Sequence, residues 1–274
     1  MLKYTSLIMK PNNQKTNSSL IHVPNNGNTI LQQAIDNINN NQEILTLWKV
    51  INVNAVDRLG MSDHGPTHFQ IVANISVKFV RMLVEAGIEM SVTKNYQLSE
   101  QYAELIVFLA SVLHDLGMTI SRKDHETYSL FLANNLLHQI IDFLPIDEKT
   151  IVTSEVLHAI ISHRSDGKPI TLEAGIVRVA DALDMSEGRS RIVYELEKLD
   201  IYSVSAAAID KVNINKGTDK PIQLDILMNN SAGIFQLDEL LKKKIQGSGI
   251  EKYLDVHAYI NQQTEKGLIK EYRI

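Results

Sequence analysis

Apolar residues recur at intervals of three and four along most of this chain, the period of an amphipathic helix, and the interruptions mark where the chain turns. Ile30, Leu31, Ala34, Ile35 and Ile38 predict a first helix capped by Asn28 or Thr29. Gln42 to Leu59 repeats the pattern through Ile44, Leu45, Trp48, Ile51 and Ala55. Gly60 and Gly65 break it. Pro66 fits the first turn of a new helix, where its missing N–H costs little, and Ile71, Val72, Ile75, Phe79, Met82 and Leu83 carry that helix to Gly87. Residues 90–98 read as loop. Ser99 or Glu100 opens the most apolar helix, which ends at His114-Asp115 with Gly117 as its stop. His125 opens another, packed by Tyr128, Leu130, Phe131, Leu132, Leu136 and Leu137 and broken at Pro145. Thr150 to Ser162 and Leu172 to Met185, the second capped by Thr171, complete the series.

After about residue 200 the period shortens. Pro221 to Met228 places Ile222, Leu224, Ile226 and Met228 on one face, as a strand does. Ile209 to Asn215, Tyr253 to Ile260 and Leu268 to Ile274 read as further strands, and Phe235 to Ile245 as a helix. The expected architecture is mainly α: a polar tail over residues 1–27, mobile or draped over the body, a helical bundle over 28–200, and a small α+β unit with an antiparallel sheet over 201–274.

Composition narrows the chemistry. With 274 residues and 44% of them hydrophobic, the chain can bury a sizeable core. Its net charge of −5 gives no support to bulk nucleic-acid or acidic-membrane binding. The chain has no cysteine, so disulfides and thiolate zinc sites are excluded and any metal must take nitrogen and oxygen ligands. The amino-terminal residues lack the apolar core of a signal peptide. The run from Leu105 to Leu113, interrupted by Ser111, is about half the roughly 20 residues of a spanning helix. A soluble cytoplasmic protein is expected.

Polar residues interrupt core helices at His68, His114, Asp115, His125, His158, His163 and Asp181. A histidine and an aspartate at the end of an apolar helix bury poorly without a partner. A divalent metal satisfies both. Asp181 lies in Ile176-Val177-Arg178-Val179-Ala180-Asp181-Ala182-Leu183, a stretch otherwise apolar enough to be core. A carboxylate there needs a cation or several donors.

The order His68, then His114-Asp115 in Leu113-His114-Asp115-Leu116-Gly117, then Asp181 in Val179-Ala180-Asp181-Ala182-Leu183 resembles the HD-domain metal-dependent phosphohydrolases over roughly residues 60–190. The resemblance implies an all-helical fold in which His68, His114, Asp115 and Asp181 hold a divalent ion, with His114 and Asp115 at the catalytic centre. His125 and His163 match, by order, the extra histidines of two-metal members. His158 is the weaker candidate, since five residues from His163 turn it about 140° away at roughly 100° per residue. Glu155, one turn before it, is placed to orient its ring. No Gly-Tyr-Pro follows His163, which argues against the cyclic-dinucleotide branch, and no acidic pair follows Asp115, which argues against the alarmone hydrolases.

The resemblance implies hydrolysis of a phosphomonoester or phosphodiester, for example of a nucleotide, with one or two ions of Mn, Fe, Ni, Co, Zn or Mg. Lys123, Arg122, Arg164, Asp184 and Arg189 are the expected substrate contacts, since phosphate needs cations beside the metal. Asp184, one turn after Asp181, is also placed to orient a ligand, and His64 to reach the site from its loop. The partner is a phosphorylated small molecule, not a membrane, and the apolar helices near Trp48 allow a homodimer. Two alternatives remain: a sensing or scaffold protein with a non-catalytic metal, and a dinuclear iron oxygenase on the same helices.

Overall fold

The computed structural model describes residues 20–185, 201–260 and 271–273. The helical period is realised as α1 (Thr29–Asn39), α2 (Gln42–Asn52, continued by a π-helical turn Val53–Arg58), α3 (Pro66–Glu85), α4 (Ser91–Tyr96), α5 (Glu100–Leu113), α6 (His125–Ile140), α7 (Ile146–Ser162) and α8 (Leu172–Leu183). The caps fall where the side chains predict. Asn28 accepts from the Leu31 N–H, Asn41 from Ile44 and Thr171 from Ala174. α4 was expected to be loop; Ser91, the side-chain acceptor for the Leu172 N–H, starts a short helix there that docks on α8.

α5 is buried along its whole last two turns, from Leu105 to Leu113, and packs against α1, α3, α4, α7 and α8. Extended to Thr119, this stretch is long and apolar enough to cross a membrane, but 83% of it is buried among the other helices. Trp48 of α2 donates its indole N–H to the Val112 carbonyl at 3.0 Å, which satisfies the one polar atom of a fully buried ring. Part of the expected tail belongs to the core. Ile21 is fully buried and its N–H binds Asn39 Oδ1 at 2.8 Å, so residues 20–27 drape over α1.

Beyond α9 (Ile201–Ala207) come β1 (Ile209–Lys216), β2 (Ile222–Met228), a helical run, β3 (Leu254–Ile260) and β4 (Glu271–Arg273), in sheet order β1-β2-β3-β4. The run comprises Gly233–Phe235, a π-helical Gln236–Leu241 and Lys242–Ile245, together labelled α10. The sheet is mixed rather than antiparallel. β1 with β2 and β3 with β4 are antiparallel, but β2 and β3 run parallel, Ile222 facing Leu254 and Met228 facing Ile260. The reason is α10. A helix between two adjacent strands returns the chain to its starting edge, so the second strand points the same way as the first. Asn230 ends β2 by accepting the Ala232 N–H at 2.8 Å, so the segment before α10 is an ordinary capped turn, its side chain already occupied.

One face of α10 lies on α8, and the buried apolar residues of helices and sheet form one continuous cluster from Ile21 to Ile260. The approach is close. A Cβ on Gly175 of α8 would stand 1.9 Å from the Ser248 carbonyl oxygen, just past α10. Gly175→Ala removes a helix-interior glycine, worth up to about 1 kcal/mol. The clash is with main chain, which cannot rotate away, and such overpacking costs about 1–3 kcal/mol. The variant is expected to be less stable, with a lower denaturant midpoint; a rise in the midpoint would show that α8 and the segment after α10 separate freely.

Candidate metal centre

The helix ends converge as the polar interruptions require. His68 lies in the first turn of α3, His114 and Asp115 follow α5, His125 begins α6, His163 follows α7, and Asp181 lies in the last turn of α8. His68, His114, Asp115, His125 and His163 are buried, while the Asp181 side chain is 19% exposed. A 3-10 turn, Leu116–Thr119, holds the dipeptide in place. Ser129 of α6 accepts the Gly117 N–H at 2.8 Å and lies 2.5 Å from the His114 carbonyl oxygen. Gly117 sits so close to α6 that a Cβ there would be 1.9 Å from the His125 carbonyl oxygen. That contact delivers His125 to Asp115.

Asp115 divides the centre. Its Oδ2 lies 3.5 Å from His114 Nε2 and 3.8 Å from His68 Nε2, and its Oδ1 lies 3.0 Å from His125 Nε2 and 3.8 Å from His163 Nε2. Asp181 Oδ1 faces the first set, 3.5 Å from His68 Nε2 and 3.7 Å from His114 Nε2. Three groups are compact enough to share an ion: His68, His114 and Asp181; His114, Asp115 and His163; His125, Glu126 and His163. Ligand atoms roughly 2.1 Å from a metal stand about 3.0–3.5 Å apart, close to these separations.

The far sides of the rings test the fit. His114 Nδ1 lies 2.8 Å from the Ser111 carbonyl and His163 Nδ1 2.6 Å from the Ile160 carbonyl. A carbonyl only accepts, so both Nδ1 atoms carry protons and both Nε2 lone pairs point inward. His68 does the same through Asp184, whose Oδ2 is 2.6 Å from His68 Nδ1. His68 Nε2 and His114 Nε2 then face each other at 3.2 Å with no proton to share. Imidazoles whose outer N–H is held by carbonyl or carboxylate, with their lone pairs converging, are the arrangement of metal-bound histidine. The residues fit a divalent ion of nitrogen and oxygen preference.

Charge follows from these contacts. Burial pushes His114 and His163 below the usual imidazole range, against the pull of the nearby aspartates, and His114 and Lys244 push His163 down further. Burial would raise Asp115, but His114 and His125 outweigh it and hold the carboxyl well below its ordinary value. Asp181 is lowered too, its burial outweighed first by Lys244 and then by His114. Burial also opposes charge on His125, yet the hydrogen bond to Asp115 raises its pKa.

Several sequence expectations find other places. His158 is not in the centre; its Nε2 accepts the Ile170 N–H at 3.1 Å, its turn along α7 having carried it away as the 140° offset implies. Glu155 makes no hydrogen bond to it; burial and the nearby Glu173 push the Glu155 carboxyl up. Asp184 lies against His68, its Oδ2 2.6 Å from Nδ1, the ligand-orienting place. Arg164 pairs with Asp166 at 2.9 Å, and the Arg122 guanidinium lies 2.9 Å from His125 Nδ1. Lys123 is exposed on the connection before α6. Arg189 lies outside the described residues. His64, its ring centroid 5.5 Å from that of His68, backs the centre from its loop. Two residues were missed. Glu126 was legible only as the neighbour of His125. Lys244 on α10 lies 3.2 Å from Asp181 Oδ2.

A helical scaffold with a buried imidazole–carboxylate centre is the setting of a metal-binding domain, and the HD domain points to the metal-dependent hydrolase superfamily. The HD domain family matches residues 68–186. The uncharacterized protein MJ1020 of Methanocaldococcus jannaschii is 41% identical over 246 residues, spanning 89% of this chain and 94% of its own. No solved structure matches. The chain belongs to the HD-domain family.

Two predictions follow the geometry. Asp184→Asn leaves His68 without its anionic partner and is expected to weaken metal binding roughly 10–100-fold by titration calorimetry, with the fold retained; unchanged affinity would remove Asp184 from the centre. The metal-free protein also has a defined pH response. His114, His158 and His163 are lowered in the fold, so the unfolded chain takes up protons near its ordinary imidazole value of about 6.5 before the folded chain does. Their contribution is present above that value and is lost as pH falls. His125, raised in the fold, contributes in the opposite sense. The raised carboxyls Glu155 and Glu173 act in the same sense as His125, so the histidine contribution is read by difference: His163→Asn is expected to reduce the acid loss of stability of the chelated protein, measured as the change in melting temperature from about pH 7.5 to about pH 5.5.

Proposed function

We propose that this protein is a phosphohydrolase that cleaves a phosphomonoester or phosphodiester of a small molecule, such as a nucleotide, by a water activated at the Asp115 centre. The observation that carries the reading is the division of Asp115 between two sets of imidazoles, Oδ2 toward His68 and His114 and Oδ1 toward His125 and His163. One carboxylate facing two ligand sets suits the paired-ion arrangement that clamps the attacking and leaving oxygens of an in-line displacement.

A bound divalent ion supplies Lewis acidity and brings a water's pKa toward neutrality. The chain's own part is positional. His68, His114 and Asp181 would hold one ion, and His125, His163 and Glu126 would hold a second, with Asp115 facing both sets. Asp184 and the Ser111 and Ile160 carbonyls keep the imidazole protons on the outer nitrogens, so the inner lone pairs stay available. Burial of the centre excludes bulk water and strengthens each of these interactions.

The test is a screen of phosphate esters with added Mn²⁺, alongside metal content measured without chelator. Asp115→Ala is expected to lose both metal and turnover while its circular dichroism stays that of the parent. Full metal content in that variant would remove the site. Oxygen consumption by the iron-loaded protein without ester hydrolysis would replace the reading with an oxygenase.

A further inference from the structure

Among the described residues, the cation nearest a metal-ligand oxygen comes from the sheet-bearing end of the chain, not from the helices that supply the ligands. Lys244 Nζ lies 3.2 Å from Asp181 Oδ2 and donates to the His163 carbonyl oxygen. It is held there deliberately. The Arg178 guanidinium reaches the Lys244 carbonyl at 3.0 Å through Nε and the Lys243 carbonyl at 3.1 Å through one terminal nitrogen. The same nitrogen reaches the Ser165 carbonyl at 2.9 Å, and the other binds the Ser162 and Arg164 carbonyls. Arg178 thus ties the end of α10 to the loop after α7.

An ammonium has three donors. Two of those on Lys244 are spent on Asp181 and His163, and the side chain remains 17% exposed. Its charge works against a metal on the other oxygen of Asp181, because like charges repel across so short a gap. A cation kept where it costs metal affinity must be repaid by something else, and an anion arriving at the ion repays it. We propose that Lys244 is a substrate-binding residue whose third N–H takes an oxygen of the phosphoryl group, so that the active site is completed only by the C-terminal part of the chain. This rests on the phosphohydrolase reading and adds a cation on the Asp181 side of the centre, beside the one that Arg122 brings to His125.

The experiment titrates inorganic phosphate into the full-length, Mn²⁺-saturated protein by calorimetry and measures Mn²⁺ affinity separately. A charge-assisted hydrogen bond is worth roughly tenfold in binding or more, so Lys244→Met should weaken phosphate binding by about that factor while Mn²⁺ affinity holds or rises. Lys244→Arg should restore most of the phosphate affinity. If the methionine variant does not fold, Lys244→Gln keeps a donor for the His163 carbonyl and carries the same expectation. Unchanged phosphate affinity overturns the proposal. A fall in Mn²⁺ affinity that accounts for the phosphate loss also overturns it, making Lys244 a support of the ligands instead. A parent protein that binds Mn²⁺ but no phosphate overturns the phosphohydrolase reading itself.

Discussion

Everything in this structure answers to one constraint: two aspartates and four histidines are brought together in an interior that cannot solvate them. Taking a charge out of water is expensive, and the expense is met only by opposite charge and well-directed hydrogen bonds. Asp115 shows how tightly the answer is specified. Each of its oxygens faces a different pair of imidazoles, and against burial the hydrogen bond from His125 to Oδ1 helps hold the carboxyl well below its ordinary range. The imidazoles themselves stay neutral at His114 and His163, with their protons pinned outward on backbone carbonyls. The inner lone pairs of His68, His114 and His163 converge with the oxygens of Asp115 and Asp181, a donor set that suits a divalent ion.

The helices are arranged to deliver this set. Backbone groups at helix ends have lost their intrahelical partners, so side chains placed there can converge without breaking a ladder. His68, His114, His125 and His163 all occupy such ends. The spacing between ends is then fixed by close backbone approach at Gly117 against α6 and by the Ser129 hydroxyl beneath the turn. Behind the ligands, Trp48 stacks near Phe69 at 5.5 Å, and Phe69 meets the His114 ring edge-on at 5.6 Å. The aromatic backing leaves the imidazoles little room to turn.

Much of the centre was legible because a polar residue inside an apolar run is conspicuous. His114-Asp115 and Asp181 stand out for that reason, and His68 stands out because Pro66 places it in a first turn. Caps at Asn28 and Thr171 were legible from local chemistry alone. What stayed hidden depends on contacts distant in sequence. Lys244 ends the run Lys242-Lys243-Lys244 on an amphipathic segment, which reads as solvated surface. Only the grip of Arg178 on two of those carbonyls, more than 60 residues away, turns one of the three inward. The parallel pairing of β2 with β3 is within reach of the sequence, since strand, helix and strand follow one another, although the expected sheet is antiparallel. His158 shows the converse, a histidine of suitable type on the wrong side of its helix.

A second buried carboxyl pair makes the comparison that explains the first. Glu155 of α7 and Glu173 of α8 are also inside, and each raises the same solvation problem. There the solution is reversed. Burial pushes both carboxyls up, and Glu173 adds to the effect on Glu155, with no imidazole or ammonium among the causes. Their neighbours are the Val92 N–H, which Glu173 Oε1 accepts at 3.0 Å, and the Tyr96 hydroxyl. One oxygen of each is left without a hydrogen-bond partner. A proton on the carboxyl removes the charge and leaves a neutral acid whose burial is tolerable. Around Asp115 and Asp181 the converging imidazoles and Lys244 reverse that choice, and both carboxyls are held ionised. Within one fold, then, the identity of the surrounding side chains, rather than depth of burial, decides whether a carboxyl pair stores a proton or stays charged to receive a metal.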